Sequence, residues 1–238
     1  MDQFIYGINP NPTTSSKYNL YRINGLGEVD NLGPISGVNG YKQAGAMGPN
    51  GEYYIYGFAG NFFQVDIATR TASLIGNFDF TVDDMAVSPV DGYIYTWKRQ
   101  GRILIKIDPT TGTVEEVGSG NTAYAKFGSF MFNAQNEIIA YGKNDANNLQ
   151  EALVKIDPST GIVTPIGSGP ITDDNDGCSC AYGLEMTKET LSSTVDAGSV
   201  LTYKFTIFNR SNGELTNITF NDVLTDGFLW NSEPQNVT

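Results

Sequence analysis

The residues of this chain that could carry chemistry are carboxylates, tyrosines and two thiols, because it contains no histidine. That absence removes Ser-His-Asp and Cys-His constellations, every histidine-dependent zinc site and the commonest general base. Carboxylate-only chemistry survives it. The densest carboxylate run is Thr172-Asp173-Asp174-Asn175-Asp176-Gly177. Oxygen ligands on a loop suit Ca²⁺, so Asp173, Asp174, Asn175 and Asp176 form the candidate metal set, although the EF-hand spacing with its distal Glu is missing. The alternative is a solvated turn before a strand. Asp83 and Asp84 precede a short apolar run; they could face a central channel as an acid–base pair, or simply cap a strand start. Cys178 and Cys180 flank Ser179. One intervening residue is a poor span for an internal disulfide, and two thiols are too few for a cysteine-only zinc site. They are either reduced thiols or cross-links between copies. Lys188 is the candidate for an isopeptide cross-link to an Asn beyond the chain's last residue, assisted by an acid such as Asp222.

Composition says what must position these groups. Aromatic residues and glycines are both abundant, with 13 Tyr, 13 Phe and 27 Gly, which favours short strands and tight turns over helices. The formal net charge is −12. A nucleic-acid binder needs a basic footprint to displace counterions, and anionic membrane surfaces disfavour an acidic chain for the same reason. No run is long and apolar enough to suggest membrane insertion.

Internal repetition organises the chain. Phe4-Ile5-Tyr6-Gly7, Tyr54-Ile55-Tyr56-Gly57, Tyr93-Ile94-Tyr95 and Ile139-Ala140-Tyr141-Gly142 each lead to a second apolar strand and then a third. Tyr6, Tyr56, Tyr95 and Tyr141 fall 50, 39 and 46 residues apart, the period of four-stranded propeller blades. They are therefore read as equivalent blade positions, packed in the core or forming an aromatic platform for a sugar. The turns Asp108-Pro109-Thr110-Thr111-Gly112 and Asp157-Pro158-Ser159-Thr160-Gly161 recur, with a degenerate copy at Asp66 to Arg70. Asp bonds its own downstream backbone, Pro presets φ and Gly accepts a positive φ. Small-residue runs at 44–48, 84–88, 128–132 and 179–183 read as innermost strands, where blades crowd the axis.

The tally is three strands, three complete four-stranded blades, and one leftover inner strand at 178–184. That strand either closes the ring against the first blade, or an upstream portion is missing; closure would hide two open edges. After Gly183 the texture shifts to period-two alternation in Val200 to Asn209 and Leu215 to Asp222.

Two resemblances follow. Asp84 to Tyr95 (DMAVSPVDGYIY), the repeated IDPTTG-type turns and Asp176-Gly177-Cys178 resemble the DUF6923-type surface-protein propeller over residues 1–184. The Ala197-Gly198 and Val200 to Asn209 stretch, followed by Asn217 to Asp226, resembles the start of a DUF11-type immunoglobulin-like repeat, with the expected Pro missing after Asp226. The resemblances imply an all-β fold: a small propeller of about four blades at 1–184, then a partial sandwich at 185–238. They also imply a non-catalytic structural or adhesive module of a bacterial cell-surface or secreted protein, extracellular in location, and one that could be a subunit of a fibre. Its partners would be its own copies or downstream domains. A lectin-like propeller that binds glycans is the alternative.

Overall fold

The computed structural model describes residues 4–10, 18–24, 26–38, 42–48, 51–57, 59–133, 135–145, 151–172, 175–178, 184–190, 196 and 198–209. Among these there is no helix. The chain divides into two units, Met1–Tyr182 and Gly183–Thr238.

The first unit is a four-blade β-propeller arrangement. Blade 1 is β1 (Ile5–Pro10), β2 (Tyr18–Ile23) and β3 (Val29–Pro34). Blade 2 is β4 (Lys42–Met47), β5 (Tyr53–Gly57), β6 (Asn61–Asp66) and β7 (Thr71–Asn77). Blade 3 is β8 (Met85–Val87), β9 (Ile94–Lys98), β10 (Ile103–Ile107) and β11 (Val114–Val117). Blade 4 is β12 (Tyr124–Phe132), β13 (Ile138–Asn144), β14 (Glu151–Ile156) and β15 (Val163–Gly169). Every blade is an antiparallel meander in chain order, as hairpin connections require. The three-plus-four-plus-four-plus-four pattern is the one the repeats predict. Of the leftover inner strand expected at 178–184, residues 179–183 lie outside the described residues, and Leu184 opens the first strand of the second unit.

Alternation along each strand divides its side chains between two neighbours. On β10, Ile103, Ile105 and Ile107 pack towards blade 2 with Tyr54, Tyr56 and Phe62. Leu104, between them, packs towards blade 4 with Phe127, Phe130 and Val154. Tyr18 and Leu20 of blade 1 meet Tyr53, Ile55, Phe63 and Val65 of blade 2 in the same way. The core therefore lies between blades, and no blade could bury its faces alone. Burying each large apolar side chain stabilises by about 1.5–3 kcal/mol.

The inner strands must be slim. A Cβ on Gly45 of β4 would lie 2.5 Å from the Tyr53 hydroxyl, so that position admits only glycine without a shift of the ring.

Register corrects one expectation. β5 begins opposite Met47 after a five-residue hairpin, 48–52, and β13 opposite Phe132 after a five-residue hairpin, 133–137. The hairpin before β9 has six, 88–93. With strand starts aligned through Ile5, Tyr53, Ile94 and Ile138, Tyr6 corresponds to Tyr54 and Tyr95, whereas Tyr56 corresponds to Trp97 and Tyr141. The four recurring tyrosines thus occupy two positions, Tyr6 with Tyr95 and Tyr56 with Tyr141, two residues apart along the strand.

In the second unit, β16 (Leu184–Thr190) pairs antiparallel with β17 (Tyr203–Asn209). Residues 210–238, read above as further strands, lie outside the described residues.

Candidate functional site

Asp84 stands immediately before β8, on the inner wall of the propeller, and is buried to 3% exposure. A buried carboxyl must be hydrogen-bonded or neutral. Its Oδ1 accepts from the Met85 N–H at 2.8 Å and its Oδ2 from the Phe130 N–H at 2.7 Å. The Thr96 hydroxyl donates to the Asp84 carbonyl at 2.6 Å. Burial, then the charge of Asp176, raises its titration well above the ordinary carboxylate range, against the opposing pull of the two amides. Burial together with Asp176 and Asp84 likewise raises the phenol of Tyr53. These groups form a mostly buried cluster on the inner side of blades 2 to 4. Its neighbour Asp83 is bound by the Arg99 guanidinium, with Nε donating at 2.6 Å, and by the Gln43 amide at 3.4 Å. Both aspartates hold blades in place.

The two described members of the candidate metal set, Asn175 and Asp176, diverge. Asn175 turns inward, its Nδ2 donating to Glu151 Oε2 at 3.1 Å and to Thr172 Oγ1 at 2.9 Å. Glu151 is itself buried and also accepts from the Thr172 hydroxyl at 2.9 Å. Asp176 is exposed and caps the Gly177 N–H at 2.9 Å. Asp173 and Asp174 lie outside the described residues. Among the described residues no three His, Cys, Asp or Glu side chains come together as a metal set. Cys178 is exposed; Cys180 lies outside the described residues. Lys188, on β16 in the second unit, has its Nζ 4.3 Å from the Tyr203 ring centroid and 5.3 Å from that of Phe205.

Two grooves open where inner hairpins meet outer turns. The larger, about 660 Å³, is lined by Tyr6 of blade 1 and by Met47, Glu52, Gln64, Asp66 and Ser73 of blade 2, among others. The smaller, about 360 Å³, is lined by Glu52 and Tyr54 of blade 2 and by Asp91, Tyr93, Asp108 and Thr110 of blade 3, among others. Glu52 borders both, and among the described residues no Lys or Arg lines either. Burial and the nearby Glu52 push the Tyr54 phenol up to about 12, so it stays a neutral hydroxyl. Asp108 is held by its own turn, its Oδ1 accepting from the Thr110 N–H at 2.7 Å, which lowers its titration. Asp66 does the same with the Thr69 N–H at 2.9 Å. These grooves were not singled out in the sequence. The legible signal was the residue two places before each turn Asp, which is Gln64 in blade 2.

Comparison with known proteins bears on the fold. No curated protein matches the chain. A solved protein of unknown function from Bacteroides thetaiotaomicron superposes with TM-score 0.55 at 16% identity, over 74% of this chain and 51% of its own. TolB from Acinetobacter baumannii superposes with TM-score 0.50 at 18% identity, over 73% of this chain and 42% of its own. The chain thus spans about half the length of these relatives or less. Residues 1–182, the whole propeller unit, match the family model described as a repeat of unknown function, and the chain belongs to the DUF6923 family.

Proposed function

We propose that this protein is a non-catalytic structural and adhesive module of a bacterial cell-surface or secreted protein, assembling with its own copies or with neighbouring domains. The observation that carries the reading is the outer rim. Val29 on β3, Leu74 on β7 and Ile166 on β15 are each more than half exposed, and Ile162 beside β15 is as well. These are the outermost strands of three blades, so apolar side chains lie beside backbone edges that invite strand pairing. The inner aspartates support the same reading, because Asp83 and Asp84 are committed to an ion pair and to backbone amides. The β16–β17 pair is read as the start of a stalk-type repeat.

The test is light scattering of the full chain over a range of concentration, beside Leu74→Lys and Ile166→Lys. Association that both substitutions abolish supports the rim as an assembly surface. A monomer at every concentration, or association indifferent to both changes, overturns it. Saturable binding of a neutral oligosaccharide to that monomer would favour the lectin-like alternative.

A further inference from the structure

The four blades provide their own internal comparison at the seams between them. Register makes Leu20, Phe62, Leu104 and Leu153 equivalent, one in each blade, on the face that looks to the following blade. Leu20, Phe62 and Leu104 are almost wholly buried, each in the core cluster that joins its blade to the next. Leu153 is only part-buried. Ile139 repeats the contrast on the same face of blade 4: its counterparts Tyr54 and Tyr95 are buried at their seams, whereas Ile139 is part-buried.

The face that looks to the preceding blade shows the converse. Tyr21, Phe63, Ile105 and Val154 are equivalent there, and the last three are buried against blades 1, 2 and 3. Tyr21 and Ile23 of blade 1 are part-buried, and Ile5 on the same face is 46% exposed. Three core clusters make three seams, and among the described residues none joins blade 4 to blade 1. The chain therefore carries both halves of one more seam, the first on blade 4 and the second on blade 1, each with apolar side chains still partly in water.

The three existing seams say what fits the blade 4 face, since a blade's preceding-side face covers its counterpart in each of them. Among the described residues blade 1 has the one such face left part-exposed, and it is also the blade with three strands where the others have four. The link after blade 4 runs like the link after blade 2, with the Tyr141 hydroxyl on the Pro170 carbonyl as the Tyr56 hydroxyl is on that of Phe80. Its Gly177 lies against Ser129 of β12, so the link edges the inner side of the face and leaves Ile139 and Leu153 beside it. We propose that the blade 4 face carrying Ile139 and Leu153 docks the blade 1 face carrying Tyr21 and Ile23 of a second copy. The chain's own blade 1 leaves both faces part-exposed, which places the contact between copies. It is head-to-tail, so it closes into a ring of copies where the rotation permits and otherwise runs on as an open filament. The inference rests on the reading that copies assemble, but it uses the faces of blades and not their rim edges.

Light scattering of the full chain over a range of concentration tests the seam, with Leu153→Asp, Tyr21→Asp, an equimolar mixture of the two, and Leu74→Lys as the rim comparison. The wild type should associate, and each aspartate variant should be monomeric at the same concentrations. Their mixture should restore a two-chain species, because each variant supplies the intact face that the other lacks. Both positions are part-exposed, so the variants should keep a cooperative urea transition; where one loses it, Leu153→Ser and Tyr21→Ser take their place. Association lost in both variants and regained in the mixture sustains the seam whatever Leu74→Lys does. Association lost in Leu74→Lys but kept in the aspartate variants overturns the seam and leaves the rim as the assembly surface. A mixture that stays monomeric overturns the head-to-tail contact, and a wild type monomeric at every concentration overturns the seam together with assembly itself.

Discussion

Asp84 Oδ2 accepts a hydrogen bond from the Phe130 N–H at 2.7 Å across 46 residues of chain, tying the inner strand of blade 3 to that of blade 4. Neighbouring blades otherwise meet chiefly through apolar side chains, so this bond fixes the height at which two sheets pack. Asp84→Ala would orphan two buried amides, at about 1–3 kcal/mol each. The expected loss is about 2–6 kcal/mol, read from the urea midpoint. Asp84→Asn, whose amide oxygen serves one amide while its NH₂ faces the other, should fall between alanine and wild type.

Stability against pH should show two opposed limbs. Asp84 titrates above its ordinary value in the folded chain. Its contribution is therefore fully present below the unfolded carboxylate range and is lost as pH rises through the raised folded value. Asp108 and Asp157 titrate below theirs, Asp108 held by the Thr110 amide and Asp157 first by the Ser159 hydroxyl and then by the Ser159 amide. Their contribution is present above the unfolded range and is lost as pH falls through the lowered folded values. Urea midpoints measured from about pH 3 to 8 should decline on both sides. Asp84→Asn should flatten the alkaline limb alone, and Asp108→Asn with Asp157→Asn, which keep the turn geometry, the acid limb alone. An alkaline limb unchanged in Asp84→Asn would show that Asp84 titrates normally.

The blade count was legible because a propeller repeats its local rules. The Asp-Pro-x-Thr-Gly turns announce themselves through Asp108 and Asp157, whose Oδ1 atoms accept from Thr110 at 2.7 Å and Ser159 at 2.8 Å. Register was less legible. Strand pairing puts Trp97, not Tyr95, in the slot of Tyr56, and a repeated tyrosine motif carries no sign of a two-residue offset, which keeps the side chain on the same face of the strand. The grooves were least legible, since they join Tyr54 of one blade to Asp91 and Asp108 of the next, a relation set by packing between sheets. The inward turn of Asn175 depends on Glu151, 24 residues earlier, for which no local signal exists.

That Tyr56–Trp97–Tyr141 position predicts a graded response. The Tyr56 hydroxyl donates to the Phe80 carbonyl at 2.8 Å and the Tyr141 hydroxyl to the Pro170 carbonyl at 2.6 Å, each pinning the segment that leaves its blade. The Trp97 Nε1 is buried with no such acceptor. Tyr56→Phe should cost about 0.5–1.5 kcal/mol, the net value of a buried hydrogen bond. The exposed bond of Tyr141 should be worth less. Thermal unfolding of both variants checks the order, and equal losses would show that exposure does not discount the Tyr141 bond.

The outer junctions between blades depend on glycine. Gly118 follows β11 with φ +79° and Gly161 closes the outer turn of blade 4 with φ +69°. A Cβ on Gly118 would fall on the Thr160 carbonyl oxygen, and one on Gly161 on the Val117 carbonyl oxygen. Other junctions repeat the approach, with Gly37 against the Ala72 carbonyl at 2.7 Å and Gly112 against that of Ile75 at 3.1 Å. Gly92 has the same left-handed backbone, φ +73°, with nothing within 4 Å of its would-be Cβ. It is the control. Gly92→Ala should cost only the left-handed strain, about 1–2 kcal/mol. Gly118→Ala adds a collision with backbone, which cannot rotate aside as a side chain can, so it should cost clearly more and loosen the packing of blade 4 on blade 3. Hydrogen exchange should then rise at β14 and β11 together, while blade 2 keeps its protection. Equal destabilisation by Gly92→Ala and Gly118→Ala would mean that conformational strain accounts for both, and that close backbone approach does not limit how the blades meet.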